Sequence, residues 1–190
     1  MTLIPPASFE TVVLPHLDAA YNLACWLARD RNAAEDIVQD AMLRALKYFH
    51  SYNGTNGRAW VLQIVRNAAW QHLQSAQKVN TVSIDNESEN IDEMMAVDAL
   101  RDSTDDPVTT LIKQREKGYL TALIKRLPIN LRECLVLREL EDLSYNEIAQ
   151  VAGIPVGTVM SRLWRARRFL IDTVQQEGGQ PGSGQPEATR

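Results

Sequence analysis

Cysteine, histidine and phenylalanine are scarce in this 190-residue chain, at two, three and three residues. Cys25 and Cys134 stand far apart in helical patterns among apolar neighbours, which suits small core residues in a reducing compartment rather than a disulfide. His16, His50 and His72 have no ligand spacing with each other or with either cysteine, so no metal site is expected. No apolar run approaches the length that spans a bilayer, and the opening MTLIPPASFE lacks a basic segment followed by a hydrophobic stretch. The expectation is a soluble, cytoplasmic protein with no direct membrane insertion. No glycine-rich phosphate loop and no paired nucleophile and base can be assembled, which argues against an enzyme and against a cofactor. Alternating strand patterns are also missing.

What remains is helical. With 45% hydrophobic and 23% charged residues, the chain is long enough for one moderate core or two small ones, and the latter reading is preferred. A first helix is expected from about Phe9 to Ala28, with Val13, Leu17, Ala20, Leu23, Ala24 and Leu27 recurring at helical intervals. Asn32 and Glu35 have the spacing of a cap for a second helix displaying Ile37, Val38, Ala41, Met42, Ala45, Leu46 and Phe49. Turn formers crowd the loop from Ser51 to Gly57, and a third helix follows from about Arg58 to Gln77. Further helices are expected from near Pro107 to about Leu127, where Pro128 forces a break, and from Asn130 to Leu140.

The segment LSYNEIAQVAGIPVGTVMSRLWRARRFL, Leu143 to Leu170, reads as two helices hinged at Gly153. Ser144 and Glu147 stand in capping-box spacing, and Ile148, Val151 and Ala152 face inward. At about 100° per residue, Leu163, Ala166 and Leu170 fall within about 40° of Val159 and form one apolar stripe. Gly157, Thr158, Ser161, Trp164, Arg165 and Arg168 lie on the far side, small or hydroxyl residues first and cations later. That order suits a helix whose start reaches base edges in a major groove while its later arginines meet phosphates or guanine. The segment carries Glu147 as its one acid against Arg162, Arg165, Arg167 and Arg168, in a chain of formal net charge -4. Cations concentrated on one element of an acidic protein point to a local polyanion contact. A hairpin with a merely solvated polar face is the alternative.

An acid-free stretch runs from Arg58 to Lys78 and interleaves Arg58, Arg66 and Lys78 with Trp60 and Trp70. Rings that stack on bases and cations that follow phosphates suit unpaired nucleic acid, although the two tryptophans fit a buried helix face equally well. From Asp85 to Asp106 nine acidic residues face only Arg101, a local charge of about -8, which favours an extended tether. A short helix around Met94 and Leu100 is compatible with it. After Glu177 the tail GGQPGSGQPEATR is expected to be disordered.

Taken together, AEDIVQDAMLRAL, GRAWVLQIVRNAAW and the Leu143 to Leu170 segment resemble the region-two and region-four signatures of extracytoplasmic-function sigma factors of the sigma-70 family, over about Phe9 to Leu170. The resemblance implies an all-α fold of two small helical domains: residues 1–80 as region 2, an acidic linker over 81–106, region 4 with its helix-turn-helix over 107–176, and a tail over 177–190. It implies a factor that binds core RNA polymerase, through clamp helices of the largest subunit and the flap, and directs promoter-specific initiation. Asp36, Gln39, Asp40, Leu43 and Arg44 match the clamp-docking positions. Tyr52, Asn53, Thr55, Asn56, Arg58 and Trp60 match the loop and helix start that capture a flipped base of the minus-ten element, with Arg66 and Asn67 near the phosphate backbone. Minus-thirty-five contacts map onto Thr158, Ser161, Arg162, Trp164, Arg165 and Arg168, with Arg138 on a phosphate. One departure stands out: the position after Val159, often arginine in the family, is Met160, implying a different preference or contact with a thymine methyl. The linker is implied to thread the active-site and RNA-exit channels, and an anti-sigma factor is the implied inhibitor in a stress response. The competing reading is a repressor or activator that uses the same helix-turn-helix without replacing a sigma subunit.

Overall fold

The computed structural model describes residues 8–80 and 107–178, so the expectations for the linker, its short helix and residues 179–190 lie outside the described residues. Eight α-helices follow in order among them: α1 (Phe9–Val13), α2 (Leu17–Ala28), α3 (Arg31–Tyr48), α4 (Gly57–Asn80), α5 (Pro107–Arg126), α6 (Ile129–Glu139), α7 (Tyr145–Ala152) and α8 (Val156–Gly178). The single first helix expected from Phe9 to Ala28 is in fact two. Pro15 has no N–H to donate and its ring crowds the preceding turn, so a 3-10 turn, Leu14–His16, separates α1 from α2.

The start of α3 also differs from expectation. Asp30, not Asn32, caps it, accepting from Ala33 N at 2.7 Å. The reason lies one residue earlier, where Arg29 takes the left-handed conformation at φ 61 and closes α2, turning the chain so that extended Asp30 begins the next helix. Leu46, expected on the apolar side of α3, is exposed, since it sits nine residues and about half a turn from the buried Ile37.

The first three long helices meet across small side chains. Ala20, Ala24, Ala34, Ala41, Ala59, Ala68 and Ala69 are buried along α2, α3 and α4, and the close backbone approach leaves Leu23, Leu27, Ile37, Leu62 and Val65 to fill the space between. The second unit is built on Leu123, Leu127, Leu135, Leu137, Ile148, Val159 and Leu163. Each such burial stabilises by roughly 1.5–3 kcal/mol relative to exposure. The two units do not stay apart. α2 packs on α6 and α4 packs on α7, and the buried apolar residues of both form one continuous cluster. Where two separate small cores were expected, the described residues share one.

Candidate nucleic-acid interface

The α7–α8 pair is assembled by local chemistry. Ser144 Oγ accepts from Glu147 N at 3.3 Å while Glu147 Oε2 accepts from Ser144 N at 2.8 Å, a reciprocal capping box. Ser144 Oγ also donates to Glu147 Oε2 at 2.7 Å, and that bond first, then the one from Ser144 N, holds the Glu147 carboxyl below its ordinary range. α7 ends at Gly153, whose φ of 66 costs glycine nothing, and both Gly153 N and Ile154 N donate to Ala149 O. α8 then presents its stripe inward, with Val159, Leu163 and Ala166 buried. Gly157, Ser161, Trp164, Arg165 and Arg168 point outward and Thr158 is half-buried, so the outer face has the composition expected of it. Trp164 is 67% exposed and Met160 51%, an unusual outlay of apolar surface one turn apart on the same helix.

Two further residues mapped to minus-thirty-five contacts, one on this helix and one on α6, are engaged within the fold. Arg162, about 60° from the Val159 stripe, is half-buried, its Nη1 3.9 Å from Glu133 Oε2. Arg138 donates from Nη1 to Leu143 O at 2.9 Å and lies 5.3 Å from the Tyr145 ring centroid, bracing the turn that launches α7. Arg165 folds back on Ser161 O at 3.3 Å, and Arg168 pairs with Asp172 at 3.0 Å; both contacts are exposed.

In the first unit the loop before α4 is folded on itself. Asn53 Oδ1 accepts from Thr55 Oγ1 at 2.8 Å and from Thr55 N at 3.3 Å around Gly54, whose φ is 80. Asn53 and Thr55 are exposed. Asn56 caps α4 by accepting from Ala59 N at 3.0 Å. Gly57 is obligatory for a different reason: a Cβ there would stand 2.9 Å from Val12 Cγ1. Tyr52 and Trp60 belong to a ring cluster rather than standing free, 5.3 Å apart and packed with Phe49, which in turn meets Phe9 edge-on at 5.7 Å.

The polar groups of this loop and helix face the second unit. Asn56 Nδ2 donates to Glu147 Oε1 at 2.6 Å, and Arg58 Nη2 to Glu141 Oε2 at 2.7 Å. Arg66 Nε donates to Glu133 Oε1 at 2.5 Å, lies 5.1 Å from the Trp70 ring centroid and reaches Asn67 Oδ1 at 3.3 Å. Trp70 Nε1 donates to the same Glu133 oxygen at 3.3 Å. Sequence reasoning missed Glu133 and Glu141. Their signal was indirect: no aspartate or glutamate stands between Asp40 and Asp85, so Arg58 and Arg66 find their counter-charges outside their own helix.

On α3, Asp36, Gln39, Asp40 and Leu43 are exposed along one side, and half-buried Arg44 pairs with Asp40 at 2.7 Å. Leu43 is 70% exposed, and Leu46 and Tyr48 extend the apolar surface beyond the residues singled out from sequence. Cys25 and Cys134 are buried, and burial pushes each thiol up to about 11, which leaves them protonated and unreactive.

Comparison with known proteins settles what this arrangement belongs to. Residues 12–79 match sigma-70 region 2 and residues 117–170 match sigma-70 region 4. The RNA polymerase sigma-H factor of Pseudomonas aeruginosa is 30% identical over 88% of this chain and 86% of its own length. The chain belongs to the extracytoplasmic-function sigma factors of the sigma-70 family. These sigma factors are non-enzymatic transcription initiation factors that direct RNA polymerase to promoters. The ECF sigma-E factor of Haemophilus influenzae is 32% identical over 76% of both chains. Among solved structures, the sigma factor RpoE of Bartonella quintana, in complex with the anti-sigma factor NepR, superposes with a TM-score of 0.70 at 25% identity, covering 88% of this chain and 96% of that one. CnrH, solved with the cytosolic domain of CnrY, shares the fold at a TM-score of 0.60 and 20% identity, covering 89% and 88%. No described helix of this sigma factor is long and apolar enough to cross a membrane.

Proposed function

We propose that this sigma factor joins core RNA polymerase in the cytoplasm and grips a promoter at two points. Residues 1–80 act as the core-binding and minus-ten unit, 81–106 as the acidic tether and 107–176 as the minus-thirty-five unit; Glu177, expected to open the tail, instead continues α8 and bonds Arg126 and Tyr119. The outward face of α8 carries the reading: small and hydroxyl groups at its start, then Trp164, Arg165 and Arg168, all on the side opposite the buried stripe. Thr158, Ser161, Trp164 and Arg165 read base edges of the minus-thirty-five element, Arg168 a phosphate, and Met160 a thymine methyl. Arg162 and Arg138 support this surface from behind, given where their guanidinium groups lie.

In the first unit Asn53 and Thr55 offer exposed amide and hydroxyl groups to an extruded minus-ten base, while Tyr52 and Trp60 form the wall against which it rests. Asn56, Arg58, Arg66 and Asn67 track the melted strand. Asp36, Gln39, Asp40, Leu43 and Arg44 dock on the clamp helices, with Leu43 as the apolar anchor amid charge and amide. An anti-sigma factor is the third partner; the RpoE structure holds such a complex, and the exposed apolar surface of α3 is available to one.

The test is reconstitution. Purified protein added to core polymerase is expected to co-elute with it and to start transcripts at discrete sites on a pool of chromosomal fragments, with no other sigma present. Failure to bind core, alongside tight dimeric binding to duplex operators, would instead identify a conventional repressor or activator.

A further inference from the structure

We propose that Met160 and Trp164 together read the 5-methyl groups of two pyrimidines, so that this sigma factor prefers methylated cytosine to plain cytosine at those positions just as it prefers thymine to uracil. The inference rests on the assignment of α8 to minus-thirty-five DNA and adds the chemical group that two of its side chains recognise.

Met160 and Trp164 are 51% and 67% exposed. Four residues apart, they differ by about 40° around α8, so one side chain lies a turn above the other on a single strip. Trp164 is unlike the other three tryptophans. Trp26 is buried, Trp60 packs on Tyr52, and Trp70 meets Arg66 and Glu133, whereas Trp164 has no ring contact or hydrogen bond among the described residues. Approach to the strip is open at its start, where Gly157 has nothing within 4 Å of the place a Cβ would take.

The surrounding charge indicates what covers this apolar pair. Arg165, Arg167 and Arg168 stand within about one turn of Trp164, and α8 carries no acid before Asp172. Arg167 pairs with Glu139 and Arg168 with Asp172, but both pairs are exposed and readily exchanged for phosphate. An apolar strip set among cations suits a duplex, whose phosphates flank the groove that the helix enters.

Within the major groove most base edges offer Met160 nothing, because its thioether has no hydrogen to donate and accepts only weakly. The 5-methyl of thymine is the apolar group displayed there, and 5-methylcytosine carries the same group on the same carbon. Trp164 offers ring carbons to a second methyl. At about 1.5 Å per residue the two side chains start about 6 Å apart along α8, against about 3.4 Å per base step, so the methyls lie one or two steps apart.

The test uses the holoenzyme, this protein with core polymerase, on duplex promoters recovered by reconstitution. Each thymine of the minus-thirty-five element is replaced in turn by deoxyuridine, and each such pair by a C·G pair carrying either cytosine or 5-methylcytosine. Thymine against uracil, and 5-methylcytosine against cytosine, differ by the methyl group alone. At two positions deoxyuridine should weaken binding about fourfold, the worth of one buried methyl group, and 5-methylcytosine should bind about fourfold better than cytosine, read by fluorescence anisotropy. Met160→Ala should abolish the methyl dependence at one position and Trp164→Ala at the other, with core binding and melting temperature unchanged. Met160→Leu should retain it. Equal binding of thymine and uracil promoters, or methyl dependence that survives both alanine variants, overturns the proposal. Loss of core binding in either variant with methyl dependence intact also overturns it and gives the strip to a protein. Failure of the α8 assignment reads differently: exchanging whole base pairs across the minus-thirty-five element would then leave binding unchanged.

Discussion

Asn53, Met160, Trp164 and Arg165 are the side chains proposed to carry promoter choice in this sigma factor; all four are exposed, and among the described residues none is committed to a buried partner. Arg165 reaches only Ser161 of its own helix, a contact it can trade for a guanine without leaving a charge unpaired. Arg165→Ala is expected to weaken binding to minus-thirty-five duplex by about 1–3 kcal/mol, measured by anisotropy of the holoenzyme on matched and mutated fragments. An unchanged profile would remove the role. Asn53→Ala should impair use of the minus-ten element while leaving core binding and melting temperature as they are, since its side chain bonds only Thr55 two residues on. Equal loss of core binding would refer the effect to folding. Asn56 is a different case, because its amide caps α4 and a substitution there mixes function with about 1 kcal/mol of helix stability.

At the scale of the element, the helix-turn-helix was the most legible part of the chain. Its capping box, glycine hinge and apolar stripe are local signals of spacing three, four and seven, and each is realised where expected. Ser144→Ala is expected to cost about 1 kcal/mol, visible in a chemical denaturation midpoint, with little change in the slope. The misread elements have equally local causes. Pro15 was an interruption that the apolar periodicity around it masked, and the left-handed Arg29 moved the cap of α3 back to Asp30. No glycine or asparagine announces the left-handed residue at Arg29, whose guanidinium meets the carbonyls of Lys125 and Leu127.

Across the whole molecule the two units form one packed body among the described residues, joined by a single apolar cluster and by the bonds of Asn56, Arg58 and Arg66 to Glu147, Glu141 and Glu133. Acidification should loosen it. Burial, with Arg58 nearby, holds His16 below its ordinary 6.5, so above that value both folded and unfolded forms carry it neutral and its contribution is complete. As pH falls through 6.5 the unfolded chain takes up the proton first, and stability declines until the folded pKa is passed. Glu147, held below 4.5 by Ser144 first and then by other partners including Asn56, adds a loss of the same sign at lower pH, once protons reach its unfolded form. Urea midpoints should stay level from about pH 8 to about pH 7 and fall from there to about pH 5, and a His16→Gln variant should flatten the upper part of that decline. A midpoint that rises on acidification would contradict the assignment.

Helix content, the inward stripes, the cap at Ser144 and the outward face of α8 follow from the sequence by itself, because each depends on residues within two turns of one another. The placement of α6 on α2 and of α7 on α4 was decided only by the tertiary structure. So were the partners of Arg58, Arg66 and Arg162, which meet carboxylates 83, 67 and 29 positions away in sequence. Spacing rules see neighbours along the chain, whereas a charge buried between helices is matched through space. The sequence thus marked the surface proposed to take nucleic acid, and only the fold set Glu133, Glu141 and Glu147 against part of it.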